Sequence, residues 1–227
     1  MTEKINKEDY KELQNLISKK KYKKAEKRLK NWLKSDPENV IFHLDLGFVL
    51  VNRSKTDKAI EHYKKVMRLA PENPSGHAGL GFVYSKQGKK QKAIKQFKKS
   101  LEMDPSNAMI HFELGEIYFA EDNYEAAKKS YLKAIQFGEE ENEPETLHRL
   151  MQVDLGMENY EKTIEMGKKL LNRDPNLISI HNLMGTAFFL QNDWEKAIKS
   201  FKKYLEKVPD DESAKKLLKK AKEQQKN

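Results

Sequence analysis

Four of the six histidines recur at one interval. His43, His77 and His111 are 34 residues apart, and His181 takes the same place two repeats later, after a two-residue insertion. Imidazoles in series could bind a metal, since the neutral ring is a good ligand. Geometry argues against that role. Equivalent residues in stacked helical units lie about 8–10 Å apart, whereas zinc–nitrogen bonds of about 2 Å need ligand atoms within about 3.5 Å of one another. The ladder is therefore expected to be a half-buried packing position. The chain has no cysteine, so disulfides, thiolate ligands and thiol nucleophiles are excluded. No paired carboxylates, glycine-rich phosphate loop or nucleophile–base motif stands out. The expectation is a protein that is not an enzyme, with no catalytic residue, metal or cofactor.

A second series consists of lysines: Lys64-Lys65, Lys98-Lys99, Lys168-Lys169 and Lys202-Lys203, extended by Lys30 and Lys133. These could meet an anionic surface, such as nucleic acid or acidic lipid headgroups. The simpler expectation is a solvated outer helix face. Nucleic acid is disfavoured because arginine is scarce and the aromatic residues fall on packing positions rather than among the lysines. Net charge is +9 over 227 residues, concentrated towards the two ends. Charged residues make up 35% and hydrophobic residues 37%, a balance that suits thin helical layers better than one large core. No apolar run is long enough to span a bilayer, and residues 1–9 lack the apolar stretch of a signal peptide. A cytoplasmic location is expected.

The elements that hold these ladders follow from the same 34-residue step. Gly47, Gly81 and Gly115 share it, as do Ala25, Ala59 and Ala93, and Pro37, Pro71 and Pro105; Pro175 and Pro209 resume it. Within each repeat apolar residues fall at helical spacing, as in Ala93, Ile94, Phe97 and Leu101. A polar turn such as Lys86-Gln87-Gly88-Lys89 separates two such runs. Each unit is thus expected to be a pair of antiparallel helices. Counting from Val40, glycine at position 8 and alanine at position 20 let the helices approach closely, with large aromatics at positions 11 and 24 around the contact. Proline at position 32 ends the second helix.

On Leu46-Gly47, Ala59, Tyr63 and Pro71, repeated with variations along residues 6–211, the chain resembles the tetratricopeptide repeat family. The expected fold is an all-α solenoid of six helix pairs, 6–39, 40–73, 74–107, 108–143, 144–177 and 178–211. The resemblance implies a right-handed superhelix. Residues 212–226 are expected to form a solvating C-terminal helix, with Ala214, Leu218 and Ala221 as its narrow apolar stripe. Two units depart from the pattern. Unit 6–39 has Leu13 where others have glycine, and unit 144–177 has Met151, Thr163 and Gly167 at positions 8, 20 and 24. We expect Met151 to fill the volume left by the missing aromatic at 167. The linker from Gly138 to Pro144 is two residues longer; it is read as a longer turn, a change of pitch, or an acidic contact patch.

The resemblance also implies where a ligand lies, in a groove lined by the first helix of each pair. The corresponding positions hold Ile41, Leu44, Phe48, Val51, Ala78, Phe82, Met109, Phe112, Phe119, Phe189 and Leu190. This much apolar surface points to a protein partner, with Phe48, Phe82, Phe112 and Phe119 as anchors; inter-repeat packing is the competing explanation. The lysine and asparagine that clamp chaperone C-termini in the family are replaced by Tyr10 and Gln14, or by Leu44 and Phe48. The reading is a scaffold gripping an apolar helical or extended segment. The alternatives are a surface binder using its basic ends on acidic lipid or nucleic acid, and a self-associating scaffold.

Overall fold

The computed structural model describes residues 5–138 and 143–226, with the side chain of Glu143 excluded. Among these residues the chain is all α-helical. It clusters into two compact units, residues 1–110 and 111–227.

The first unit contains α1 (Lys7–Ser18), α2 (Tyr22–Ser35), α3 (Val40–Asn52), α4 (Thr56–Leu69), α5 (Pro74–Lys86), α6 (Lys90–Met103) and the start of α7 (Ala108–Phe119). Each helix packs on the next from α1 to α6, and α3 also packs on α5. Leu13, Ala25, Leu29, Leu46, Leu50, Ala59 and Tyr63 form a buried core that continues to Leu80 and Val83.

The second unit contains the rest of α7, then α8 (Tyr124–Phe137), α9 (Glu143–Gly156), α10 (Tyr160–Arg173), α11 (Ile178–Leu190), α12 (Trp194–Leu205) and α13 (Glu212–Gln224). Met151, Ile180, Ala187, Ala197 and Phe201 anchor its larger core, onto which Ala214 and Ala221 of α13 fit. Leu217 joins Leu218 on the apolar stripe of α13. Gly138 ends α8 in an extended conformation; residues 139–142 of the longer linker lie outside the described residues.

Three features set the helix boundaries. The first helices of successive pairs are capped by asparagines at the same step. Asn39 accepts from the Phe42 N–H, Asn73 from Ser75 and Asn107 from Ile110, each meeting an orphan donor of the first turn. Leu177 holds the corresponding place before α11 and supplies no side-chain cap. At the other end, the second helices α2, α4, α6 and α10 stop two residues before Pro37, Pro71, Pro105 and Pro175. Asp36 and Ala70, next to their prolines, have already left helical geometry.

The third feature is the turn inside each pair. Lys20, Ser54, Gly88, Asp122, Glu158 and Asn192 all have φ between 54° and 70°. They occupy one position of the repeat, and only Gly88 is a residue that adopts this left-handed conformation without cost.

Candidate interaction surface

The close approach expected inside each pair has a specific partner. The glycine at position 8 lies under the ring at position 24 rather than merely near a small alanine. A Cβ on Gly47 would sit 2.7 Å from the Tyr63 ring, on Gly81 2.4 Å from Phe97, on Gly115 2.5 Å from Tyr131, and on Gly185 2.9 Å from Phe201. Gly79 of α5 meets the same Tyr63 ring, at 2.3 Å from an added Cβ. In the departing unit, a Cβ on Gly167 would meet Met184 at 2.7 Å and Met151 at 3.0 Å. Met151 does fill the space, and it shares it with Met184 of the following helix.

This packing seats the histidine ladder deeper than a half-buried position. His43, His77 and His111 are buried, and only His181 is partly exposed. His43 donates from Nε2 to the Pro37 carbonyl at 3.0 Å, which leaves its Nδ1 to accept from His62 Nδ1–H at 2.8 Å. His77 Nδ1 lies 2.7 Å from Gln96 Oε1, with Gln96 at the position that His62 occupies one repeat earlier. His111 stacks on Phe137 at 5.7 Å between ring centres. Burial, followed by the charges of His43 and Lys30, brings the His62 pKa down to about 4. Burial also lowers His148 and His181. No group of three or more metal-ligating side chains occurs among the described residues. His43 and His77 are thus hydrogen-bonded packing residues, and His111 packs on an aromatic ring.

Two buried carboxylates and one half-buried one were not evident from the sequence. Glu26 of α2 bonds Lys30 at 2.8 Å, Lys55 at 3.1 Å and the Arg53 guanidinium. Burial alone would raise its carboxyl, but the bonds from Lys30 and Lys55 and the charges of Lys30 and Arg53 bring it down to about 2. Asp154 is buried against Lys128. Half-buried Glu116 accepts from the Tyr131 hydroxyl at 2.5 Å and pairs with Arg149 at 2.9 Å. The one sequence signal concerns position 21 of the repeat. It is isoleucine in Ile60, Ile94, Ile164 and Ile198 but ionic in Glu26 and Lys128, and those two make the buried pairs.

The surface expected to bind a partner divides between the two units. In the first, Ile41 is 55% exposed, Phe48 46% and Met109 64%, while Leu44, Val51, Ala78 and Phe82 are half-buried. Ile41, Leu44, Phe48 and Val51 recur at three- and four-residue spacing along α3, which puts them on one side of it. Helix α3 is apolar on its buried side as well, and it packs directly on α5, which carries Ala78 and Phe82. In the second unit Phe112, Phe119 and Phe189 are half-buried. Each has a ring contact in its own helix pair: Phe112 with Tyr131 at 5.6 Å, Phe119 with Tyr124 at 5.9 Å and Phe189 with Trp194 at 5.3 Å. Phe82 makes the same kind of contact with Phe97, at 5.2 Å. Intrinsic packing thus claims much of Phe82, Phe112, Phe119 and Phe189, and leaves Ile41, Met109, Leu190 and Phe48 as the more open apolar side chains, although Phe48 meets the Tyr22 ring of α2 edge-on at 6.4 Å. Leu190 of α11, the expected groove position next to Phe189, is 46% exposed.

The outer lysines are mostly solvated, with Lys65 weakly paired to Glu38 at 3.8 Å and Lys169 to Glu165 at 2.8 Å. No helix among the described residues is long and apolar enough to cross a membrane.

Family models described as "TPR repeat" match residues 49–88 and 84–122, and models described as "Tetratricopeptide repeat" match residues 110–137 and 183–211. Together they take in just over half of the chain. The unmatched stretches contain the two units that depart from the pattern. No curated protein matches the sequence significantly. Among solved structures, YrrB, titled a TPR protein with an unusual peptide-binding site, is 18% identical with a TM-score of 0.72, over 86% of this chain and 97% of that one. The C-terminal part of a TPR repeat-containing protein from Cytophaga hutchinsonii is 18% identical with a TM-score of 0.73, over 93% and 84%. A MamA structure is 29% identical with a TM-score of 0.64, over 72% and 95%.

Proposed function

The chain belongs to the tetratricopeptide repeat family, and from that premise we propose that it is a non-enzymatic scaffold that grips an apolar helical or extended segment of another protein. One observation carries this reading: α3 is apolar on its buried side and again on its solvent side, where Ile41 and Phe48 stand open. A helix that is apolar all round belongs in a core, so the outer half of α3 lacks the cover its composition calls for. Leu44, Val51, Ala78 and Phe82 extend this surface on α3 and α5, and Met109 adds an open side chain on α7. Within the second unit, half-buried Phe112, Phe119 and Phe189 would offer an apolar surface of that unit's own. The likeness to a peptide-binding protein agrees with the reading through the shared fold alone.

The test is a selection of peptides from a displayed random library on wild-type protein, followed by titration against Phe48→Glu. Phe48 is the better site for this change, because Phe112 is tied into its own helix pair and its replacement would disturb folding. Selected peptides should share aliphatic or aromatic residues, bind nearly as well at high salt as at low salt, and lose about tenfold or more in affinity for the variant. Selected peptides that are acidic without apolar residues, are released by salt and ignore the variant would refute the proposal.

A further inference from the structure

We propose a second binding site, independent of the apolar face: the cleft between α1 and α2 accepts an acidic peptide segment. The cleft encloses about 930 Å³. Lys24, Lys27, Arg28 and Lys34 line it, with Leu16 and Trp32 as its apolar wall. Asp9 and Glu12 also border it, but cations outnumber carboxylates, and the Asp9 carboxylate is already engaged by the Asn6 N–H at 3.0 Å.

Arg28 gives the cleft its specific chemistry. Its guanidinium lies 5.8 Å from the Trp32 ring centre and bonds exposed Glu12 through Nη2 at 2.5 Å. Its Nη1 is shut off from solvent and has no acceptor among the described residues. A buried donor without an acceptor is costly, so the fork is satisfied on one side only. A carboxylate entering the cleft can draw the guanidinium round and take both nitrogens, since planar, bidentate pairing is what arginine does best. Lys24 and Lys27, both exposed, would add longer-range attraction. Trp32, half-buried with Phe42 at 5.2 Å on one side, offers an apolar side chain of the ligand a surface beside the charges.

The mixed lining favours a peptide over a polyphosphate or a lipid surface. A continuous polyanion has nothing to place against Leu16 and Trp32, whereas a peptide can alternate carboxylates with apolar side chains that meet them.

The experiment titrates the full chain, in a Trp194→Phe background that leaves Trp32 as the reporter, with a fluorescein-labelled peptide of repeating Asp-Glu-Leu. Saturable binding should shift the Trp32 emission. Lys24→Glu/Lys27→Glu should weaken binding about tenfold or more, and the same charge change at Lys98→Glu/Lys99→Glu on α6 should alter it by less than about twofold. Melting curves check that each variant is folded, and Lys24→Gln/Lys27→Gln replaces the reversal if that one is not. Equal weakening by the two lysine pairs would overturn the site, as would binding that leaves Trp32 emission unchanged. So would tighter binding of a single-stranded oligonucleotide or of phosphatidylserine vesicles than of the peptide.

Discussion

At the scale of single residues, the ring at position 24 and the glycine beneath it decide how closely the two helices of a pair approach. Gly81→Ala places a methyl group against the Phe97 ring and should cost roughly 1–3 kcal/mol in chemical denaturation. Phe97→Leu in the same chain should recover part of that loss; an additive double mutant would show that the contact was misassigned. The buried imidazoles make a second prediction. The pKa of His62 falls from an unfolded value near 6.5 to about 4 in the fold. The unfolded chain therefore takes up this proton first as the pH drops. The stabilisation is fully present above the unfolded value and is lost progressively between pH 6.5 and 4. Full linkage would be about 3 kcal/mol, reduced to roughly 1–2 kcal/mol by partial exposure to water. His62→Gln copies Gln96 at the equivalent position and should flatten that part of the stability-versus-pH curve. An unchanged slope would remove His62 as its source. The histidines were legible in the sequence as packing residues. Their depth and their partners were not, because the partner sits in the other helix of the pair and shares no short-range spacing with them.

At the scale of elements, the helix limits were readable wherever glycine, proline or a polar cap marked them. The turn inside each pair was readable only at Gly88. Lys20, Ser54, Asp122, Glu158 and Asn192 adopt the same left-handed geometry without the residue that signals it, because the packing of the flanking helices imposes it. Glu158→Gly should consequently stabilise the fold by about 0.5–1 kcal/mol, and Gly88→Ala should destabilise it by about 1 kcal/mol or more. Thermal melts of the two variants should move in opposite directions. Caps follow a parallel logic. Leu177 stands where Asn39, Asn73 and Asn107 cap their helices. Leu177→Asn should add about 1 kcal/mol if its side chain takes up the same bond. A loss of stability would mean that Leu177, which packs against the core of the second unit, contributes more as an apolar contact than a cap would.

At the scale of the molecule, the repeat was legible because one helix pair cannot bury its own apolar surface and must reuse the same small and large residues at each step. The binding surface was legible only as a set of positions. Helical spacing gives the side of α3 on which Phe48 lies, but it cannot distinguish a phenylalanine held by its own pair, such as Phe112 against Tyr131, from one left open. Neither the Glu26 cluster nor the cleft beside Trp32 was foreseen, since both join residues of different helices. The most direct test of the apolar-face reading is photocrosslinking with benzoylphenylalanine at position 48, compared with the same group at Lys99 on the outer side of α6, in the presence of a selected partner peptide. The account predicts a crosslink from position 48 that persists at high salt and none from position 99. Crosslinks from position 99 alone, disappearing as salt is raised, would contradict it.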